Sequence, residues 1–255
     1  MRNLVARNFF YILLFLLFFA GSEILFAEET TDEAQKITTI INKVIDAYGG
    51  KEVIENIDSL HAKGKIEAFM RHDHGTYELY FKRGKKLRVE TKYEHSWEVR
   101  ILNGNKGYRS SDTRSLEEVY GPRYLSMLYQ YKHLDILHDL SKGAYQVRSA
   151  GRSSVNGNNV EVFRITDKDG AVMDICIDAN NSRIVRVTAY FSEGNKQIDL
   201  SAAFSDFRKV GDSVFPFRII NYAGGMKTGQ TVIEEYSLNP DMADSLFAPS
   251  LIHSL

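Results

Sequence analysis

Residues 60–110 read LHAKGKIEAFMRHDHGTYELYFKRGKKLRVETKYEHSWEVRILNGNKGYRS, and the rhythm of this stretch decides the fold. Period-two patterning marks Leu60–Met70, Thr76–Lys82, Lys86–Lys92, Trp97–Leu102 and Gly107–Ser110 as successive half-buried strands. Short polar or glycine-bearing turns separate them, at His74-Gly75, Arg83-Gly84-Lys85 and Asn103-Gly104-Asn105. Turns of this length and composition join antiparallel neighbours, so the segment is a meander of hairpins.

Downstream the same alternation returns in Tyr145–Ala150, Val160–Thr166, Ala171–Ile177, Arg183–Phe191, Gln197–Arg208, Val214–Tyr222 and Thr231–Leu238. Asn156-Gly157 and Asn180-Asn181-Ser182 suit the intervening turns, because asparagine and glycine tolerate positive φ. Between Gly121 and Gly143 the period changes: Tyr124, Leu125, Leu128, Tyr131, Leu134, Leu137 and Leu140 recur at helical intervals. Upstream, Thr30 and Glu33 fit a capping box, and Ile37, Ile40, Ile41, Val44, Ile45 and Tyr48 form a helical stripe that Gly49-Gly50 ends. A short helical turn is predicted over Glu52–Ile57. These elements give a mainly β (α+β) chain with a curled antiparallel sheet of about eleven strands. So wide a sheet must curl, forming an incomplete β-barrel with helices over its concave face. A curled sheet with a partial helical plug can leave an apolar interior that side chains do not fill.

The first 27 residues read as an export signal. Arg2 and Arg7 precede Phe9–Ala20, an unbroken apolar run of about 12 residues. A spanning helix needs roughly 20. Cleavage is expected after Ala27, with Ala20-Gly21-Ser22 as a second exit, and Ser22 stands near the position where lipidation needs cysteine. The sequence therefore predicts a signal peptide over 1–27, a single domain over 28–255, and an exported, soluble periplasmic protein without a lipid anchor. With 32 Lys and Arg against 33 Asp and Glu interspersed along the chain, no basic stripe suggests nucleic acid.

Catalytic signatures are weak. Cys176, the one cysteine, lies in the apolar run Met173–Ile177, which excludes an internal disulfide and reads as a buried small hydrophobe. His72-Asp73-His74, with Tyr77, His61 and His95 nearby in the strand order, has the period-two spacing by which two imidazoles share a metal. Gly75 and Asp73 mark the same place as a solvated hairpin tip, the reading adopted here. His133 and His138 are five apart, which brings neither onto the other's helical face. No G-x-S-x-G elbow or glycine-rich phosphate loop occurs, and Glu117-Glu118 and Glu234-Glu235 point to opposite strand faces. No catalytic residue, metal site or cofactor is predicted.

Several phrases resemble the periplasmic lipoprotein-localisation carriers, the LolA/LolB-like superfamily and its lipoprotein-sorting branch. They are Ile45-Asp46-Ala47-Tyr48-Gly49-Gly50, Ile57-Asp58-Ser59-Leu60 with Gly64, the strand-turn-strand Tyr80–Val89, the turn Leu102–Tyr108, and the closing Asn239-Pro240 and Leu246-Phe247-Ala248-Pro249. The resemblance implies an incomplete barrel with a helical lid over a hydrophobic cavity for acyl chains of lipid or lipoprotein. It also implies an inner-membrane donor, an outer-membrane acceptor and a monomeric carrier. In such carriers an arginine at the end of the second or third strand holds the lid by hydrogen bonds to helix backbone. The matching position is Arg83, followed by Gly84 where proline is usual, and Arg88 is the second candidate. Tyr124, Met127, Leu128, Tyr131 and Leu134 either close a dry core or form the movable wall of the cavity, with Tyr80 and Trp97 as further lining candidates. The resemblance leaves a lipid-responsive envelope sensor on the same fold as the alternative and an enzyme as the third reading.

Overall fold

The structure, a computed structural model, describes residues 32–193 and 196–250. The predicted signal peptide, its cleavage sites and Thr30 of the capping box lie outside these residues. The described residues divide into two units at Ile41 and Asn42. Residues 32–41 of the first are helical, and the second opens with helical residues 42–47, the end of α1 (32–47). In the second unit Val44, Ile45 and Tyr48 are buried. The Tyr48 hydroxyl accepts a hydrogen bond from Ile184 N–H at 3.1 Å, and Ser213 Oγ donates to the Tyr48 carbonyl at 2.9 Å.

After α2 (Lys51–Glu55) the chain runs through β1 (Ser59–Ala68), β2 (Asp73–Lys82), β3 (Lys86–Tyr93), β4 (Trp97–Asn103), β5 (Lys106–Ser111) and β6 (Arg114–Val119). It then enters α3 (Gly121–Ser141) and continues as β7 (Gln146–Val155), β8 (Asn158–Thr166), β9 (Val172–Asp178), β10 (Ile184–Glu193), β11 (Lys196–Val210), β12 (Ser213–Ala223) and β13 (Met226–Leu238). A 3₁₀ turn over Asp244–Phe247 follows. All neighbouring pairs are antiparallel, and the 13 strands form one sheet in the order β6-β5-β4-β3-β2-β1-β13-β12-β11-β10-β9-β8-β7.

The architecture is the expected one: among the described residues there are thirteen strands, against an expectation of about eleven and twelve predicted ranges. The strand that pattern reading passed over is β6, RSLEEV. It is a short, charged edge strand whose adjacent acids obscure the alternation, and such edges resist pairing with other chains. The second departure is length: β7 extends to Val155 although nearly all of it is exposed, since an edge strand lacks the buried face that makes alternation visible.

Consecutive strands pair everywhere except at β6 and β7, and β1 pairs with β13, so the sheet is a barrel left open along a single seam. The connection across that seam is α3. It touches β3, β4 and β5 on one side and β10 on the other, which requires the sheet to wrap around it. Two glycines permit the sharp coiling. A Cβ on Gly64 would lie 2.2 Å from the Val232 carbonyl oxygen, and one on Gly75 2.0 Å from that of Lys92. Neighbouring backbones therefore approach more closely than any side chain allows, as at barrel corners.

Both sheet faces carry a core. On the concave face Leu60, Ala62, Leu79, Phe81, Leu87, Val89, Leu102, Phe217 and Ile233 pack against Tyr131 of α3. On the outer face of β2–β5, Val99 and Ile101 pack against Met242 and Phe247 of the C-terminal segment. Phe247 is fully buried, a contribution of about 1.5–3 kcal/mol. Cys176 is a buried free thiol in a third cluster with Val155, Val160 and Val185. Among the described residues no helix is long and apolar enough to cross a membrane.

Substituting Gly64→Ala should lower the unfolding free energy by about 1–3 kcal/mol through forced backbone displacement. The check is a reduced urea midpoint at unchanged slope; an unchanged midpoint would show that the β1–β13 contact is not tight.

Candidate functional site

The site is the space between α3 and the concave face. Pro122 stands in the first turn of α3, where its missing N–H costs nothing. Buried positions then occur on more than one side of the helix: Met127, Tyr129, Tyr131, Lys132, Asp135, Ile136 and Leu140. A helix wrapped by a sheet loses its solvent face, which is why Tyr129 and the two buried charges fall outside the predicted stripe.

A cavity of about 220 Å³ lies beneath it. Ile66, Tyr77, Leu79, Leu200, Phe204 and Ile219 supply apolar wall, α3 supplies Ser126, Tyr129, Gln130, His133 and Leu134, and Arg100 and Asn221 are further polar members. Tyr129 donates from its hydroxyl to the Tyr190 carbonyl at 3.1 Å and stacks on Phe191 at 6.1 Å between centroids, tying the helix to β10. Gln130 Nε2 donates to the Tyr77 hydroxyl at 3.4 Å, and burial pushes the Tyr77 phenol up to about 12. His133 Nε2 is buried without a hydrogen-bond partner, and burial lowers the imidazole to about 4. The volume is below the roughly 300–1,000 Å³ of drug-sized ligand sites.

At the β2–β3 turn, Arg83 gathers the helices. Its Nη2 donates to the Ile54 carbonyl at 2.9 Å and its Nη1 to the Glu55 carbonyl at 2.8 Å. These are carbonyls of the C-terminal turn of α2, and that of Ile54 also accepts from the Ile57 N–H at 3.3 Å. Nη1 also reaches Asp58 at 3.1 Å, and Nε reaches Asp135 of α3 at 3.3 Å. Asp135 accepts a second bond from the Tyr131 hydroxyl at 2.9 Å. One guanidinium therefore bridges the strand turn, α2 and α3. On the other side of α3, Lys132 pairs with Asp167 of the β8–β9 turn. Burial alone would raise Asp167, but hydrogen bonds from Lys132 Nζ and the Ala171 N–H outweigh it and hold the carboxyl below its ordinary value.

The remaining predicted residues divide by strand parity. Tyr124, Leu128, Tyr131 and Leu134 join the concave core, Met127 is buried against Gly107, and Leu134 lines the cavity itself. Tyr80 and Trp97 do not line it: both pack in the outer cluster with Val99, Ile101, Met242 and Phe247. Tyr80 alternates with inward Leu79 and Phe81, and Trp97 shares the parity of Val99 and Ile101, so the pleat turns both outward. Arg88 is likewise outward and buried, with Nη1 donating to the Leu246 carbonyl at 3.2 Å and Nε paired with Glu90. It holds the C-terminal segment and touches neither α2 nor α3 among its hydrogen bonds.

The turn predicted at His74-Gly75 lies earlier: residues 69–72 form it, and Asp73, His74 and Gly75 already belong to β2. His72 has φ of 50° and His74 is exposed. Asp73 spends its Oδ1 on the His74 and Glu94 N–H groups at 2.9 and 3.3 Å. Asp73, Glu94 and His95 do bring ligand atoms within 4.8 Å of one another. His61 is elsewhere, bonded to Glu78 at 2.8 Å and stacked on Tyr80. Sequence reasoning missed Tyr129, Gln130, His133 and Arg100 as cavity residues. The signal for Arg100 was its parity with Leu102, which places a cation on the inward face.

No protein-family model matches the sequence, and no curated protein sequence matches it. The likeness lies in the fold. A putative outer membrane lipoprotein-sorting protein domain from Vibrio parahaemolyticus superposes with a TM-score of 0.52 at 10% identity, over 79% of this chain and 94% of that one. A LolA superfamily protein from Nitrosomonas europaea gives 0.53 at 14% identity over 82% and 97%. A DUF1329 family protein from Desulfovibrio piger gives 0.55 at 11% identity over 84% and 97%. The chain has a LolA-like fold.

His133 carries a pH signature. Its folded value of about 4 lies below the ordinary 6.5, so under pH 6.5 the unfolded chain binds a proton that the folded chain refuses. Stability is fully present above that point and falls as pH drops toward 4. The urea midpoint of the wild type should fall more between about pH 7 and pH 5 than that of His133→Gln; equal losses would mean that His133 is not held neutral.

Proposed function

We propose that this protein is an exported periplasmic carrier that encloses acyl chains of lipid or lipoprotein beneath α3 and conveys them from an inner-membrane donor toward an outer-membrane acceptor. Its activity is binding, not bond-making, and it works as an unlipidated monomer once the segment before Glu28 is removed. The observation that carries this reading is the seam: a helix lies over an apolar-walled cavity in a sheet left open between β6 and β7. A sealed barrel would hold a chain permanently. A sheet closed by a helix and polar contacts can release it, because those contacts can be exchanged for water.

Arg83 acts as the latch. Its bonds to Ile54, Glu55 and Asp135 hold the helices over the cavity, and ligand entry exchanges them for acyl contacts. Each buried methylene yields about 0.8 kcal/mol, so a partly enclosed chain already gives useful affinity. The likeness of fold to a lipoprotein-sorting domain supports the same class of cargo.

Native mass spectrometry of the full chain recovered from the periplasm of a Gram-negative host should show acyl-bearing adducts. A protein that is always ligand-free and ignores fatty-acid probes would defeat the proposal. Replacement of Arg83 by leucine should speed release of a bound fluorescent fatty acid by about tenfold, the loss of one charged hydrogen bond. Unaltered loading and release would remove the latch assignment.

A further inference from the structure

We infer that the amphiphile taken by this cavity carries an anionic head group, a carboxylate or phosphate monoester, seated on Arg100, Arg109 and Arg123 beside the cavity. This rests on the carrier reading and specifies its ligand. Arg100 stands in the cavity wall, directly across from Val89 of the concave core and from Arg109 of β5. Both guanidinium groups share one carboxylate: Arg100 Nε lies 3.2 Å from Glu98 Oε1, and Arg109 Nε donates to Glu98 Oε2 at 2.7 Å.

The next pair along the sheet repeats the arrangement. Glu117, across from Arg109 in the β5–β6 register, lies 3.4 Å from Arg114 and 3.5 Å from Arg123. Four arginines thus share two carboxylates, an excess of two positive charges on one continuous strip. Arg123 is one turn before cavity-lining Ser126, whose Oγ donates to the Arg123 carbonyl at 2.8 Å. The first turn of α3 contains no acid, and Tyr120 supplies no side-chain cap, so the positive end of the helix dipole adds to the strip.

Chemistry favours an anionic guest. A cation in a partly apolar wall loses hydration that half a carboxylate does not replace. A ligand carboxylate or phosphate supplies the missing partner in the planar two-point geometry that guanidinium groups accept. With the head group at Arg100, the chain lies along Tyr77 and Leu79, and the unpartnered Nε2 of His133 is available to a carbonyl or hydroxyl of the ligand.

The test compares cis-parinaric acid with its methyl ester as fluorescent probes of the full chain, with lysophosphatidic acid and inorganic phosphate as competitors. The acid should bind about tenfold more tightly than the ester, one charge-assisted hydrogen bond's worth, and added salt should narrow the gap. In a variant combining Arg100→Gln, Arg109→Gln and Arg123→Gln the two probes should bind within about twofold of each other. Equal binding of acid and ester by the wild type overturns the head-group inference and leaves the carrier reading standing. Binding of neither defeats the carrier reading itself. Inorganic phosphate that displaces lysophosphatidic acid at equal concentration would show a free-anion site and overturn the lipid assignment. Should the triple variant bind neither probe, the single variants Arg109→Gln and Arg123→Gln, outside the cavity wall, decide: a preference undiminished in both overturns the inference.

Discussion

The structure depends on one unmet pairing. Thirteen strands follow one another as antiparallel neighbours, and β1 closes on β13, yet β6 and β7 do not meet because α3 intervenes between them. Backbone groups along both edges are left without strand partners, which is the exposure that sheets ordinarily avoid by closing. Here the edges are managed separately, by the shortness and charge of β6 and the polarity of β7. The seam leaves an interior covered by a helix, and a helix can be displaced without breaking a ladder of backbone hydrogen bonds.

What holds α3 in place is accordingly polar as well as apolar. Tyr131 and Leu134 pack on the concave core, while Arg83, Lys132 and Asp135 tie the helix at two points to turns of opposite halves of the sheet. Purely apolar packing would be difficult to open in water, since opening would expose all of it at once. Buried ion pairs contribute less net stability because desolvation offsets much of their attraction, but they fix geometry. The outer face has a complementary arrangement: Arg88 reaches Leu246, and Lys82 and Lys86 hold Asp244, whose carboxyl falls to about 2 through their hydrogen bonds. The C-terminal segment thereby braces β2–β5 from outside while the helices fill the inside.

The meander was legible because period-two alternation is written directly by burial of one face, and the turn residues punctuate it. Arg83 is singled out only by the resemblance of the Tyr80–Val89 phrase to the carriers; its side chain hydrogen-bonds Ile54 of α2 and Asp135 of α3. Tyr80 and Trp97 were misplaced for an equally physical reason. A sheet covered on both faces buries aromatics on both, so hydrophobicity ceases to report direction, and parity relative to Leu79 or Val99 becomes the only guide. The strip of arginines was illegible because its members come from β4, β5, β6 and α3, which only the register brings together. His133 was set aside on helical spacing, since a single residue's exposure depends on how the sheet wraps the helix.

The balance between closure and loading follows from magnitudes. Releasing α3 breaks the Arg83–Asp135 and Lys132–Asp167 contacts; at about 1.5–3 kcal/mol for each charged hydrogen bond, these two contacts alone set a cost of several kcal/mol. A ligand shifts that equilibrium only by its difference in affinity for the two states. At about 0.8 kcal/mol per methylene, roughly six buried methylenes offset such a cost. Under the carrier proposal, short chains are accommodated with the helix in place, whereas long chains draw α3 outward from a cavity of about 220 Å³. Under the same proposal, a membrane that receives the chain recovers its burial, and the Arg83–Asp135 and Lys132–Asp167 contacts re-form as the helix returns.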